Sequence, residues 1–252
     1  MTQQRYFMEL AYCGTKYHGW QIQANGHSIQ AEIEQALSKR LGRPISILGS
    51  GRTDAGVHAE QQFAHFDLPQ PLENPDQIVY SLNAMLPTDI AIRRIFPVDT
   101  DAHARFSANS RYYQYRIRQQ KDAFRPGQCY YFRHELDIDA MNEAAALLLQ
   151  YTNYKSFSRA KAAVKHFHCT IDLAEWRPDT GADLTFHIRA NRFLWGMVRA
   201  IVGTLLDLGQ GRMTIADFER IILALDRQVA GRAAPASGLF LCEVGYPADL
   251  IP

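Results

Sequence analysis

The sequence predicts an α+β fold, and three observations carry that prediction. Short stretches in which apolar and polar residues alternate are interspersed with longer ones in which apolar residues recur every third or fourth position. The two kinds follow one another without the regular strand–helix alternation of a doubly wound parallel sheet. The chain has 252 residues, 47% hydrophobic and 21% charged, enough for a substantial core in one large domain or two lobes.

Taken in order, Arg5 to Tyr12 read as a first strand, followed by a turn through Gly14 and Gly19. Ser28 is an N-cap, and Ile29, Ile33, Leu37 and Leu41 make a helical stripe that stops at Gly42 and Pro44. Ile45 to Leu48 form a short strand, Gln61 to Leu68 a second, and the segment between them is a loop. Pro75 and Asp76 open a helix that ends near Leu86 and Pro87, before a strand over Ile90 to Phe96. Tyr113, Tyr115 and Ile117 alternate with Gln114, Arg116 and Arg118, a strand with one charged face. Asp139 is expected to cap a helix running to Gln150, and Asp179-Thr180-Gly181 to turn a hairpin between Thr170–Trp176 and Leu184–Ala190. Asn191 is expected to cap the strongest helix, with Phe193, Met197, Ala200, Ile201, Thr204, Leu205 and Leu208 on its apolar face and Gly209 at its end. On the opposite face Arg192, Trp195 and Arg199 fall at i, i+3 and i+7. Thr214 with Asp217 opens a last helix, and Leu239 to Val244 form the final strand. Two lobes joined near Ala102 to Ser110 fit this order.

Composition removes several classes of function. The longest strongly apolar run, Ala144 to Leu149, is far too short to span a bilayer. Arg5 and Glu9 interrupt the N-terminal segment where a signal peptide needs an apolar core, so a cytoplasmic setting is expected. Cys13, Cys129, Cys169 and Cys242 are spaced neither as metal ligands nor as a dense disulfide framework. His166-Phe167-His168-Cys169 lacks a spaced third and fourth ligand, so no metal is implied, and no nucleotide-binding motif is present. The net charge of +1 conceals an asymmetry. From Arg105 to Arg133 stand Arg105, Arg111, Arg116, Arg118, Lys121, Arg125 and Arg133 against Asp122 alone, interleaved with Phe106, Tyr112, Tyr113, Tyr115, Phe124, Tyr130, Tyr131 and Phe132. Lys155, Arg159, Lys161 and Lys165 follow with no acid between them. Cations that meet phosphates beside rings that stack on bases are the pattern of a nucleic-acid surface. A solvated face over half-buried strand aromatics accounts for the same letters.

The densest anomaly is Gly49-Ser50-Gly51-Arg52-Thr53-Asp54-Ala55-Gly56. Its glycines permit positive dihedrals and close backbone approach, while Arg52, Thr53 and Asp54 project from one loop. It fits neither the Walker loop nor the dinucleotide fingerprint. From the residues alone Asp54 is either a catalytic carboxylate or a satisfier of turn amides.

The stretch GRTDAGVHA resembles the signature loop of the TruA family of tRNA pseudouridine synthases, and the likeness extends along most of the chain. Tyr12, Gly14-Thr15-Lys16-Tyr17, Gly19-Trp20-Gln21, Leu86-Pro87 and Asp89-Ile90-Ala91 are similar to its N-terminal blocks. Ala104-Arg105-Phe106-Ser107-Ala108, Arg111 and Tyr113-Gln114-Tyr115 resemble its central segment. Met197-Val198-Arg199, Ile201-Val202-Gly203 and Gly238-Leu239 with Leu241 resemble its C-terminal blocks. The chain departs at Cys13, where the family often has aspartate, at Trp195-Gly196, where it often has two histidines, and at Ala200 in place of asparagine.

The resemblance implies a pseudouridine synthase fold, a mixed and mostly antiparallel central sheet flanked by helices, with lobes over residues 1–104 and 105–252 and a cleft between them. It implies an isomerase that converts uridines 38, 39 and 40 of the tRNA anticodon stem-loop to pseudouridine, acting as a homodimer without metal or nucleotide cofactor and without a membrane. Asp54 would be the nucleophile on a flipped-out uridine, Tyr113 the ring that stacks on the target base, and Arg199 the cation that pairs with Asp54. Arg52, Gly238 and Leu239 would contact the substrate, and Arg105, Arg111, Arg116 and Lys161 the tRNA. A non-catalytic RNA-binding module and a hydrolytic N-glycosidase are the rival readings; the first is disfavoured by an intact Asp54, Tyr113 and Arg199, and the second would release free uracil.

Overall fold

Tyr6, Phe7, Met8 and Leu10 are at most 3% exposed, so the first strand, β1 (Gln4–Tyr12), is buried on both faces. A computed structural model describes residues 3–24, 26–123, 127–159, 165–179 and 183–252 and divides the chain into two units, Met1–Asn109 with Leu241–Pro252, and Ser110–Phe240. Thr180 and Gly181 of the expected hairpin turn, Phe124 and Arg125 of the basic run, and Lys161 lie outside the described residues. The fold is α+β. The strand pairing is mixed, with both antiparallel and parallel pairs.

In the first unit β1 lies between β3 (His58–Leu68) and β4 (Ile90–Val98), and β3 also pairs with the short β2 (Leu48–Gly49). The end of the last strand, β9 (Leu239–Gly245), lies on the other side of β3. Helix α1 (Ile29–Leu41) begins where Ser28 Oγ accepts from Ala31 N at 3.3 Å and ends at Gly42, whose φ of +68° no β-carbon opposes. Helix α2 (Pro75–Met85), capped by Asn74, packs on β4. From it Asn83 makes two hydrogen bonds to Ile92 of β4, donating to the carbonyl and accepting from the N–H, each at 2.8 Å.

The second unit repeats that device. Its strands run in the order β5 (Ser110–Arg118), β8 (Asp183–Ala190), β7 (Ile171–Pro178), with β6 (Tyr130–Tyr131) parallel to β5. Asn142 of α3 (Ile138–Leu147) donates to the carbonyl of Trp176 at 3.1 Å and accepts from its N–H at 2.7 Å, so a side chain completes the backbone pairing of β7. Helices α4 (Met197–Gly209) and α5 (Ile215–Ala224) complete the unit, α5 opened by the expected Thr214–Asp217 capping box.

Four sequence-based expectations need correction. The short strand expected over Ile45 to Leu48 is instead β2, Leu48–Gly49, shifted toward the Asp54 loop. The cap of α3 is Asp137, which accepts from Ala140 N, rather than Asp139. Strand β3 begins at His58 rather than Gln61, so the loop ahead of it is shorter. Helix α4 begins at Met197 and not after Asn191. The Asn191 carboxamide instead accepts from Thr170 N at 2.8 Å, and Gly196 at φ +74° stands before the first turn. Arg192 and Trp195 therefore precede the helix and share no helical face with Arg199. Among the described residues no helix is long and apolar enough to cross a membrane.

Candidate active site

Asp54 stands in the first unit, half-buried, on the loop between β2 and β3, and several residues of that loop are hydrogen-bonded in place. On the β3 side Ser50 N donates to Phe63 O at 2.7 Å. The buried Gln62 accepts from the Ser50 hydroxyl and donates to Gly51 O at 3.1 Å. Thr53 shares a 2.8 Å hydrogen bond with the Tyr12 hydroxyl, and its carbonyl accepts from Trp20 N at 3.2 Å. Beyond Asp54 the chain turns, with Val57 N donating to Asp54 O at 3.1 Å and Gly56 at φ +79°. Gly56 N in turn donates to Tyr17 O. Arg52 projects into solvent from the same loop.

The second layer of this loop is the turn through residues 13–20, which the sequence marks by its glycines and by its likeness to the family's N-terminal block. A β-carbon built on Gly14 would lie 2.0 Å from Val57 O, and one on Gly49 would lie 2.5 Å from the Trp20 indole. Only glycine allows these approaches, to a backbone carbonyl in the first case and to an indole ring in the second. The turn is anchored from behind by Asp89, which accepts from the Tyr17 hydroxyl at 2.5 Å and pairs with Lys16 at 3.3 Å, while its carbonyl accepts from Cys13 N. Burial, and then the bond to Asp89, push the Tyr17 phenol up, so it stays a donor. Tyr17, Trp20 and Gln62 are supporting residues that the loop motif alone does not reveal; their signal is glycine spacing in one segment answering glycine spacing in another.

Tyr113, Arg199, Gly238 and Leu239 stand in the second unit, on one packed framework. Arg199, half-buried in the first turn of α4, donates from Nε to Ala234 O at 2.7 Å, and Ala234 N donates back to Arg199 O at 2.8 Å. The strap that contains Ala234 is fastened along α4: Gly231 N donates to Thr204 Oγ1, and Gly203 has no room for a β-carbon, which would sit 1.7 Å from Arg232 O. It is fastened to β5 as well, since the Tyr115 hydroxyl donates to Pro235 O at 2.8 Å. A β-carbon on Gly238 would meet the Tyr115 ring at 2.7 Å, so glycine there lets Leu239, 6% exposed, start β9 close to β5. Tyr113 shares a β5 face with the buried Tyr115 and meets Phe193 edge-on, at 5.2 Å between centroids and 89° between planes. Its ring is half-buried.

The basic candidates differ in setting. Arg105 is exposed, with its guanidinium 5.5 Å from the Phe106 ring; Arg111 donates to Asn191 O at 3.0 Å. Arg116 lies 4.0 Å over the Phe240 ring and donates to Gln114. Among the described residues no group of three or more histidine, cysteine or acidic side chains is arranged to hold a metal. The Cys169 thiol is pushed up to about 11 by burial, far from a ligating thiolate.

Comparison with known proteins fits these two frameworks. A family model described as tRNA pseudouridine synthase matches residues 10–107, which include the Asp54 loop and its braces, and 144–247, which include Arg199 and the strap; Tyr113 falls between the blocks. Proteins named tRNA pseudouridine synthase A are similar along nearly their whole length. That of Parabacteroides distasonis is 47% identical over 248 residues, 98% of each chain. That of Porphyromonas gingivalis is 48% identical over 250 residues, again 98% of each, and that of Geobacillus kaustophilus is 42% identical over 240 residues, 94% of this chain and 92% of its own. With a matched family model covering most of its residues and relatives this similar from end to end, the chain belongs to the tRNA pseudouridine synthase family, isomerases that convert uridine to pseudouridine in tRNA.

Proposed function

We propose that the chain isomerises uridines 38, 39 and 40 in the anticodon stem-loop of tRNA, as a cytoplasmic homodimer, with Asp54 as its nucleophile. The observation that carries this reading is the setting of Asp54: a half-buried carboxylate on a loop whose flanking residues are pinned by Tyr12, Tyr17, Trp20 and Gln62. A carboxylate whose surroundings are immobilised while its own side chain is partly accessible is prepared to meet a reacting atom.

A uridine in a stem is out of reach, so it is extruded at a cost of a few kcal/mol and received on an aromatic face, the role given to Tyr113. Arg52, Gly238 and Leu239 contact the flipped nucleotide, and Arg199 pairs with Asp54. The carboxylate attacks either ribose C1′, displacing N1, or uracil C6, adding across the C5–C6 double bond, and its bond to that carbon is broken again before the product leaves, which restores the free carboxylate. On both courses the bond from C1′ to N1 breaks, a bond from C1′ to C5 forms, the C5 proton passes to solvent and N1 takes up a proton. Every other atom of substrate is kept, so no oxidant or reductant enters. Arg105, Arg111, Arg116 and Lys161 meet phosphates and fix the register of the tRNA.

The test is tritium release from a tRNA transcript labelled at uridine C5, with pseudouridine then mapped along the product. Release confined to positions 38, 39 and 40, without free uracil, supports the reading. Modification elsewhere in the tRNA, or uracil in the supernatant, overturns it.

A further inference from the structure

Of the three tryptophans, Trp20 and Trp176 are each 2% exposed, but Trp195 is 49% exposed. Leaving half an indole in water forgoes the burial that makes the residue useful. Nor is the ring loosely hung. Leu194 and Met197 on either side are buried, Met197 N donates to Leu194 O at 3.1 Å, and Gly196 turns the chain between them. Arg159 N donates to Trp195 O at 3.0 Å, and its guanidinium lies 4.1 Å from the indole centroid. Two residues earlier Phe193 meets Tyr113, and two residues later begins the helix that carries Arg199. Arg192 in the same segment directs its guanidinium at His166, 3.2 Å from Nε2. From Lys155 to His168, and from Asn191 to Met197, the sequence contains no acidic residue.

The geometry points to Trp195 and Arg159 as a second nucleobase-stacking site, which holds one unpaired anticodon-loop nucleotide while its neighbour is isomerised. It rests on the anticodon-arm reading above. An indole with a guanidinium over one of its faces is a platform on which an unpaired base stacks, and Arg159 and Arg192 supply charge for the adjoining phosphates. Arg159 over the indole and Arg192 in the same segment favour RNA over an apolar protein partner.

The test uses the only exposed tryptophan as its own reporter. When unmodified tRNA transcript is added to the full chain, acrylamide quenching of tryptophan fluorescence falls, and Trp195→Phe removes that response. Trp195→Ala raises KM about tenfold with kcat within about twofold, and Trp195→Tyr recovers most of the loss. A transcript with one abasic anticodon-loop position costs the wild-type chain a similar factor and Trp195→Ala nothing. Turnover at positions 38–40 with unchanged acrylamide access, or equal abasic penalties in both proteins, overturns the stacking site and leaves the anticodon-arm reading standing. Shielding that grows with protein concentration before RNA is added also overturns it, in favour of contact between copies. Pseudouridine mapped outside the anticodon arm overturns the reading and this site together.

Discussion

The α-carbon of Gly19 faces the carbonyl of Thr53 so closely that a β-carbon built on it would lie 2.4 Å from that oxygen. Gly19 also holds φ at +93°, a region other residues rarely adopt. Gly19→Ala therefore displaces the residue next to Asp54. The expected result is a loss of about 1–3 kcal/mol in stability and a fall in kcat larger than any change in tRNA affinity. Urea unfolding and single-turnover kinetics on the same protein check both.

Asp54→Asn keeps the size of the side chain and the turn bond from Val57 N to Asp54 O, since that bond uses the backbone. It removes the carboxylate proposed as the nucleophile. Turnover is expected to vanish while tRNA affinity stays within about threefold, because phosphate contacts dominate binding. Tritium release and filter binding measure the two; substantial turnover by cleanly prepared variant would refute the assignment.

Arg199→Lys keeps the charge but loses the geometry. The Nε–H that donates to Ala234 O at 2.7 Å leaves the terminal nitrogens of the guanidinium for other partners, and a lysine has one nitrogen for all of them. A drop of about a hundredfold in kcat is expected, the scale of losing one oriented donor, with far-UV dichroism unchanged.

Asn142 serves strand β7 as a substitute for a neighbouring strand, through its bonds of 2.7 and 3.1 Å to Trp176. Asn142→Ala leaves both backbone groups without that partner, at a cost of about 1–3 kcal/mol. Chemical unfolding is expected to shift by that amount, and light scattering near the transition to rise because an edge is opened.

His65 on β3 is 5% exposed and accepts from Ala104 N at 3.2 Å. Burial, reinforced by Arg5 and His103, holds its imidazole down at about 4 against an ordinary 6.5. Above pH 6.5 the ring is neutral whether the chain is folded or unfolded, so it leaves stability unchanged. As pH falls from 6.5 to 4 the unfolded chain takes up a proton that the folded chain does not, and stability is lost. About 2 kcal/mol is expected to go between pH 7 and 4.5. His65→Asn, which keeps an acceptor for Ala104 N, flattens that part of the profile in urea titrations at the two pH values.

The sequence by itself determined most of the elements and singled out the Asp54 loop as the candidate site, because both are written locally. Ser28 and Gly42 bound α1, and Thr214 with Asp217 opens α5, through bonds spanning a few residues. The glycines around Asp54 announce a loop that no ordinary strand or helix tolerates. Tertiary structure decided what local letters leave open. Asn191 reads as a helix cap, yet Thr170, twenty-one positions away, takes its carboxamide, so α4 starts later and Trp195 stands outside it. Gly14 and Gly19 read as turn formers, but their purpose is to admit Val57 and Thr53 against the backbone. Arg199 reads as one cation on a helix, and only the strap at Ala234 fixes which of its nitrogens is spent on structure. A cap or a turn is satisfied within its own segment, whereas a hydrogen bond or close approach between distant segments depends on where folding delivers the second partner.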